Sequence, residues 1–318
     1  MNINSKISMP PRSRAFGINF ATSALLLAMV GANSAMALPL LGTDLSTFTV
    51  LGAATVTNVP TSTISGNVGV WSSGGANAIT GFLSSPGLAV ADPQVTSGLV
   101  HAGTAGAAAA QGQLTSAITN LSSLGVGTLL GADLVGMTLT PGVYTVPAGT
   151  SNLSGVLILD GQGNANAAWV FQMASTLITS ANSVVSVTNT GQGAGVFWNV
   201  ASSATLGSNT SFMGNILAVA SISLNTGARD NCGRVLAKTG AVTLQMNTLS
   251  NSCTGLLSGS DGLGGGLDVT TSPEGITSVA FLPFAPITPN VPEPASLALF
   301  GIGICGICGL GAFRRRRG

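Results

Sequence analysis

His101 is the single histidine of the chain, and no cysteine or carboxylate stands beside it in the sequence. A general base needs a neighbour to orient it and a metal needs convergent ligands, so His101 suggests neither role. No G-x-S-x-G surrounds a serine, no P-loop Gly-Lys-Ser/Thr occurs, and the glycines at 264–266 lack a strand-to-helix context. The carboxylates are scattered, whereas glycosidase-like chemistry gathers them on one face. Arg229, Asp230 and Arg234 come nearest to a charged cluster, and the expectation is that they decorate a corner beside Cys232. Together these residues predict a protein that is not an enzyme and carries no cofactor or metal. The chemistry that remains is neutral: rows of serine and threonine hydroxyls.

Those rows come from a repeat. Leu217-Ala218-Val219 returns nineteen positions later as Leu236-Ala237-Lys238, and each copy precedes a run in which hydroxyls alternate with aliphatics, Ser221-Ile222-Ser223-Leu224 and Val242-Thr243-Leu244. Setting Leu206, Leu224 and Leu244 inward turns Thr205, Ser223 and Thr243 outward on successive strands, with Ser203 and Ser221 two positions earlier. Neighbours are then about 4.8 Å apart across strands and about 6.6 Å apart along them. The result is a flat, uncharged lattice of hydroxyls and methyls. An ordinary solvated β face carries the same residue types, because a pleated surface favours them.

The elements that must hold this lattice are stacked coils. GNILA at 214–218 is answered by GRVLA at 233–237, and Trp169-Val170-Phe171-Gln172 by Val196-Phe197-Trp198-Asn199 after 27 residues. Unequal periods of this size mark a solenoid whose units bury their apolar sides only against each other. A helix is predicted over about 92–124, opened by Asp92-Pro93 and carrying Val95, Leu99, Ala102, Ala109, Leu114, Ile118 and Leu121 at near-helical spacing. It would contain His101 and lie packed along the solenoid. After Cys253 the sequence turns to LLSGSDGLGGGLD, so residues 257–290 read as a Gly/Ser/Pro linker following a domain at 38–256.

Both ends carry export features. Lys6, Arg12 and Arg14, an apolar run at 20–30 and Ala35-Met36-Ala37 read as a signal peptide, residues 1–37, with a first transmembrane helix as the alternative. At the other end residues 295–313 hold no charge, about 28 Å of helix, and four arginines follow. Pro292, Glu293 and Pro294, the apolar span and the arginines resemble the PEP-CTERM sorting signal of Gram-negative bacteria, residues 291–318. That resemblance implies processing by an exosortase-type enzyme and a cell-surface or extracellular destination; a plain C-terminal membrane anchor is the alternative. Between the two ends three basic residues, Arg229, Arg234 and Lys238, face eight acidic ones, a net charge of −5. This balance speaks against nucleic acid or anionic lipid as a partner. Cys232 and Cys253 are the only cysteines there. On adjacent coils they would lie within disulfide range in an oxidising compartment, with two buried free thiols as the alternative.

The run GVFWNVASSATLGSNTSFMGNILAVASISLNTGARDNCGRVLAKTGAVTL, with SGNVGVW at 65–71 and the helix after ADPQV, resembles the DUF3494 family of bacterial and fungal ice-binding proteins. The resemblance implies a mainly β fold, a discontinuous right-handed β-solenoid of triangular section with one long α-helix packed alongside. It also implies adsorption to ice through one flat face that orders water over Ser, Thr and Ala side chains. Some members carry T-A/G-x-T/N on that face, and Thr226-Gly227-Ala228-Arg229 and Thr239-Gly240-Ala241-Val242 match half of that pattern. Thr205, Ser221, Ser223, Thr239 and Thr243 are the expected ice-binding residues, with Thr55 and Thr57 from the N-terminal strand. The rival expectation is an adhesive matrix protein that binds exopolysaccharide, which often accompanies PEP-CTERM tails.

Overall fold

The computed structural model describes residues 38–72, 78–272 and 276–287. The predicted signal peptide, the Pro292-Glu293-Pro294 motif and the apolar span at 295–313 lie outside the described residues. Among the described residues no helix is long and apolar enough to cross a membrane.

Alternation of aliphatic and polar residues produces short parallel strands, and the successive coils of the chain lay them on three sides. On the first side, face A, six parallel strands follow in the spatial order Leu177–Ile178, Ala204–Leu206, Ile222–Leu224, Val242–Gln245, Val56–Val59 and Ile79–Thr80. Face B runs through Gly142–Val146, Ala168–Met173, Gly195–Val200, the second halves of Ser211–Ala218 and Arg229–Ala237, then Phe48–Gly52, Asn67–Val70 and Val100–Ala102. Face C holds Thr138–Leu139, Val156–Asn164, Val184–Thr190, the first halves of those two long strands, Thr248–Ser250, Thr63–Ser65 and Val95–Thr96. The two long strands turn from face C to face B, and in their mutual pairing the register shifts between Phe212 and Gly214.

Among the parallel strands spatial order departs from chain order at one junction. The coil at 242–250 is followed in the stack by the coil that starts at Phe48, the N-terminal one. The chain therefore begins in mid-stack, runs to one end, crosses to the other end and coils back to meet its own beginning. This is the discontinuous β-solenoid.

Its interior is apolar. Tyr144, Phe171, Trp198, Ile216, Val235, Val50, Val68 and Val100 form one ladder across successive coils. Phe171 and Trp198 stack with ring centroids 4.0 Å apart. The buried indoles of Trp169 and Trp198 donate to the carbonyls of Leu139 and Met213, so their polar atoms are satisfied.

The crossing element is α1, Ala105–Ser122. Its N-cap is Thr104, whose hydroxyl accepts from the Ala107 amide at 3.2 Å. It starts thirteen residues later than the predicted 92 and ends near the predicted 124. Asp92 instead pins a turn, accepting from the amides of Leu83 and Gln94. Val95 and Val100 to Ala102 belong to strands, and Ser97 and Gly103 have positive φ that no helix tolerates. His101 consequently lies on a strand, its ring edge-on to Phe48 at 5.1 Å. The buried stripe of α1 is Ala107, Ala110, Leu114, Ala117, Ile118 and Leu121; Ala109, expected in it, is exposed. This stripe packs over Val170, Phe197, Leu217, Leu236 and Leu51 of face B.

The stretch expected to be a linker is folded. Leu267–Thr271 and Thr277–Phe281 form an antiparallel hairpin that also pairs with Leu38–Pro39. The glycines before it serve close packing: a Cβ on Gly265 would lie 2.3 Å from the Gly193 carbonyl oxygen. Glycine composition was read as flexibility where the structure uses it for contact.

Candidate functional site

Face A is set by backbone hydrogen bonds. The amides of Leu177, Ala204, Ile222, Val242 and Val56 donate to the carbonyls of Ser203, Ser221, Ala241, Thr55 and Ala78 at 2.9–3.0 Å. That register points Leu206, Leu224, Val242, Leu244 and Val56 into the core, where all are fully buried. Their alternating neighbours face out. The central outward row reads Ile178, Thr205, Ser223, Thr243, Thr57, Thr80, each paired with the next. One step back along the strands the same register gives Thr176, Ser203, Ser221, Ala241, Thr55 and Ala78. No charged side chain stands in either row.

The two rows differ in what their hydroxyls do. Ser203 and Ser221 accept from the amides of Ser221 and Ala241, so the protein itself engages them. Thr239 stands at the corner, and its hydroxyl donates to the Val219 carbonyl at 2.6 Å. In the central row, among the described residues, the hydroxyls of Thr57, Thr80, Thr205, Ser223 and Thr243 make no hydrogen bond to the protein. They are free to meet water on a sheet with roughly 4.8 Å spacing.

Buried asparagines lock the corner behind this sheet. Asn247 accepts from the Gln245 amide at 2.6 Å and donates to the carbonyls of Asn225 and Ala228. Asn58 accepts from Ser62 and donates to Gln94 and to the Gly81 carbonyl. Fully used buried amides hold a corner in one conformation, and so hold the strands that leave it flat.

Of the predicted residues, Thr57, Thr205, Ser223 and Thr243 come together on the central ladder. Thr55 and Ser221 lie on the adjacent row, and Thr239 lies at the rim. Thr80, Thr176 and Ile178 extend the rows and were missed. The signal was present, because Ala78-Ile79-Thr80 repeats the small, aliphatic, threonine pattern of Ser203-Ala204-Thr205. It was hidden because that strand is two residues long.

The charged cluster is not a corner decoration. Arg234 is fully buried and donates to the Ser46 carbonyl, Asn215 Oδ1 and the Asp261 carbonyl, and it pairs with the Asp261 carboxylate. It ties the N-terminal segment, one coil and the C-terminal segment together. Asp230 is also buried, and neither carboxyl oxygen has a hydrogen-bond partner in good geometry. Burial pushes its pKa well above the usual carboxylate range, and the amides of Cys232 and Gly214 and the Arg234 charge offset this only in part. Arg229 alone is exposed. The Cys232–Cys253 disulfide is formed, with Cα atoms 4.7 Å apart.

No second centre competes with face A. Among the described residues no three His, Cys, Asp or Glu side chains are placed to hold a metal ion. A cleft of about 430 Å³ opens beside the end of α1, lined by Ile118, Val126, Met173, Gln172 and Asn199 among others. Its two amides are spent on the helix: Gln172 donates to the Leu121 carbonyl and Asn199 to the Ser122 hydroxyl. Burial lowers the pKa of His101, and its Nδ1 lies 3.1 Å from the Thr104 hydroxyl.

A mainly β solenoid with one side under a helix and another left as a bare hydroxyl sheet defines the class of protein. The ice-binding-like family matches residues 50–250, and the chain belongs to that family. A PEP-CTERM protein-sorting motif matches residues 290–317. An ice-binding protein of Nostoc sp. (strain HG1) is 44% identical over 237 residues, covering 72% of this chain and 82% of that one. The ice-binding protein of the Antarctic ascomycete Antarctomyces psychrotrophicus has a similar structure, with a TM-score of 0.58 and 35% identity, over 68% of this chain and 98% of that one. An ice-binding protein from an Arctic yeast matches with a TM-score of 0.57 and 30% identity, over 65% and 91%.

Proposed function

We propose that this protein adsorbs to ice through face A and thereby inhibits ice growth or recrystallisation. The observation that carries the reading is the central ladder, in which free hydroxyls of Thr205, Ser223, Thr243, Thr57 and Thr80 recur at one spacing on an uncharged sheet. The chemistry is binding alone. Methyl groups leave little for water to solvate, and hydroxyls fix the orientation of the waters between them, so an ordered layer forms that an ice surface can incorporate. A sheet whose inner strands are hydrogen-bonded on both sides loses little freedom on contact, which lowers the entropic cost of adsorption. The names of the relatives give ice as what those proteins bind, and this supports the same ligand here.

The sorting motif supports export, with exosortase-type processing near Pro292-Glu293-Pro294 and a final place at the cell surface or outside the cell. Ice, rather than exopolysaccharide, is the ligand this reading assigns to face A.

The test compares the protein with its Thr205→Tyr/Ser223→Tyr double variant in ice recrystallisation and crystal-shape measurements in cooled droplets. Faceted, slowly coarsening crystals for the parent and round, coarsening ones for the variant are expected. An inactive, folded parent overturns the function, and an unchanged variant overturns the face.

A further inference from the structure

The last described segment, 282–287, does not trail away from the domain. The Leu282 amide donates to the Gly266 carbonyl, the Ala285 amide to Asn164 Oδ1, and the Ile287 amide to the Gly163 carbonyl. In return the Ala165 amide donates to the Ala285 carbonyl at 2.6 Å and the Asn166 side chain to the Pro283 carbonyl at 3.1 Å. Residues 163–167 form the corner where the chain passes from Val156–Asn164 on face C to Ala168–Met173 on face B. Upstream, 263–265 follow the same edge on the next coil, with the Val196 amide bonded to the Leu263 carbonyl and the Gly265 amide to the Ala194 carbonyl. In a three-sided coil the edge between faces B and C is the one opposite face A. From Ile287 to the sorting motif at Pro292 the sequence counts five residues, at most about 18 Å of chain.

We infer that the 282–287 strap fixes the exit of the C-terminal tail on the edge opposite face A, so that a chain held by that tail presents its hydroxyl face outward. The inference rests on the reading of face A as the binding surface, but the position of the strap does not. A tether leaving from the rim of face A would press the sheet against the surface that holds it. One leaving from the opposite edge keeps the height of a coil between them, about 17 Å for a triangular section whose sides are six residues at about 3.3 Å each.

The experiment uses the full chain with its native disulfide and with Cys305→Ser and Cys308→Ser, so that only the introduced thiols take a label. Spin labels at Ile287→Cys and Gln192→Cys, the latter exposed on the same edge one coil away, should give a short and narrow distance distribution. Labels at Ile287→Cys and Thr243→Cys should give a distance longer by about the height of a coil, about 17 Å. Asn164→Ala, which removes a strap acceptor, should broaden both. A broad distribution in the parent, or a shorter distance to position 243 than to 192, overturns the inference whatever the ligand of face A.

A polyethylene glycol chain attached to Gln192→Cys or to Thr243→Cys then separates the two claims. Ice activity kept with the polymer at 192 and lost at 243 supports the orientation. Loss at 192 overturns it, because a surface at that edge would then block binding. Ice activity absent from the unsubstituted parent overturns the functional reading, and the outward presentation falls with it even if the distances hold.

Discussion

Faces A and B are built from the same coils, with the same strand spacing, yet one is bare and the other covered. The outward row of face B reads Leu217, Leu236 and Leu51, which α1 buries. The corresponding row of face A reads Thr205, Ser223, Thr243, Thr57 and Thr80, over which none of the described elements lies. Backbone geometry is common to both, so the difference between a structural side and a binding side rests on the outward residue. A γ-branched aliphatic demands a cover, whereas a threonine offers a methyl and a hydroxyl and can stand in water. On the proposed reading of face A, stability and function fall to different faces of one repeat.

Breaking the covered side should have the largest effect on stability. Leu236→Ala should cost about 2–5 kcal/mol, read by chemical denaturation, with ice activity per folded molecule unchanged. Reducing Cys232–Cys253, which are 21 residues apart, should remove about 3 kcal/mol while the face A register survives in the remaining folded molecules. Buried Asp230 sharpens the comparison through pH. Its folded pKa is raised above the value near 3.8 of a free carboxyl, so the folded state holds the proton over a window in which the unfolded chain has released it. Its contribution is therefore greatest below that value and falls as pH rises through the window, by at most about 1.4 kcal/mol per pH unit. Thermal unfolding from pH 4 to pH 7 should show this slope, and Asp230→Asn should flatten it. The smallest stability change, within about 0.5 kcal/mol, belongs to Thr205→Tyr/Ser223→Tyr, the variant expected to abolish ice activity. A large destabilisation there would mean that face A also holds the fold together.

Much of this arrangement is legible in the sequence because it repeats. Leu206, Leu224 and Leu244 set which side of each strand turns in, and the outward register of Thr205, Ser223 and Thr243 follows. What was misread lies where local pattern and tertiary contact disagree. Val95, Leu99 and Ala102 have helical spacing, yet Val100 and Ala102 also have strand spacing, and pairing with Val68 and Val70 decides between them. Gly264, Gly265 and Gly266 look like a linker until Gly193 and Ala168 are seen pressed against them. Arg234 reads as a surface charge, because nothing in the sequence places Ser46, Asn215 and Asp261 around it. Thr80 was missed because a two-residue strand after a loop has too few positions to display a period.

The mid-stack start of the chain has a consequence for its export. Leu51 pairs with Leu236, 185 positions later, so the first coil to leave the cell has no neighbour on that side until nearly the whole domain has followed. Closing so long a loop is entropically costly and slow, and a fold dominated by such contacts assembles late. On the export that the sorting motif supports, a chain threaded unfolded would complete the outward row, at the junction of Thr243 with Thr57, only after passage.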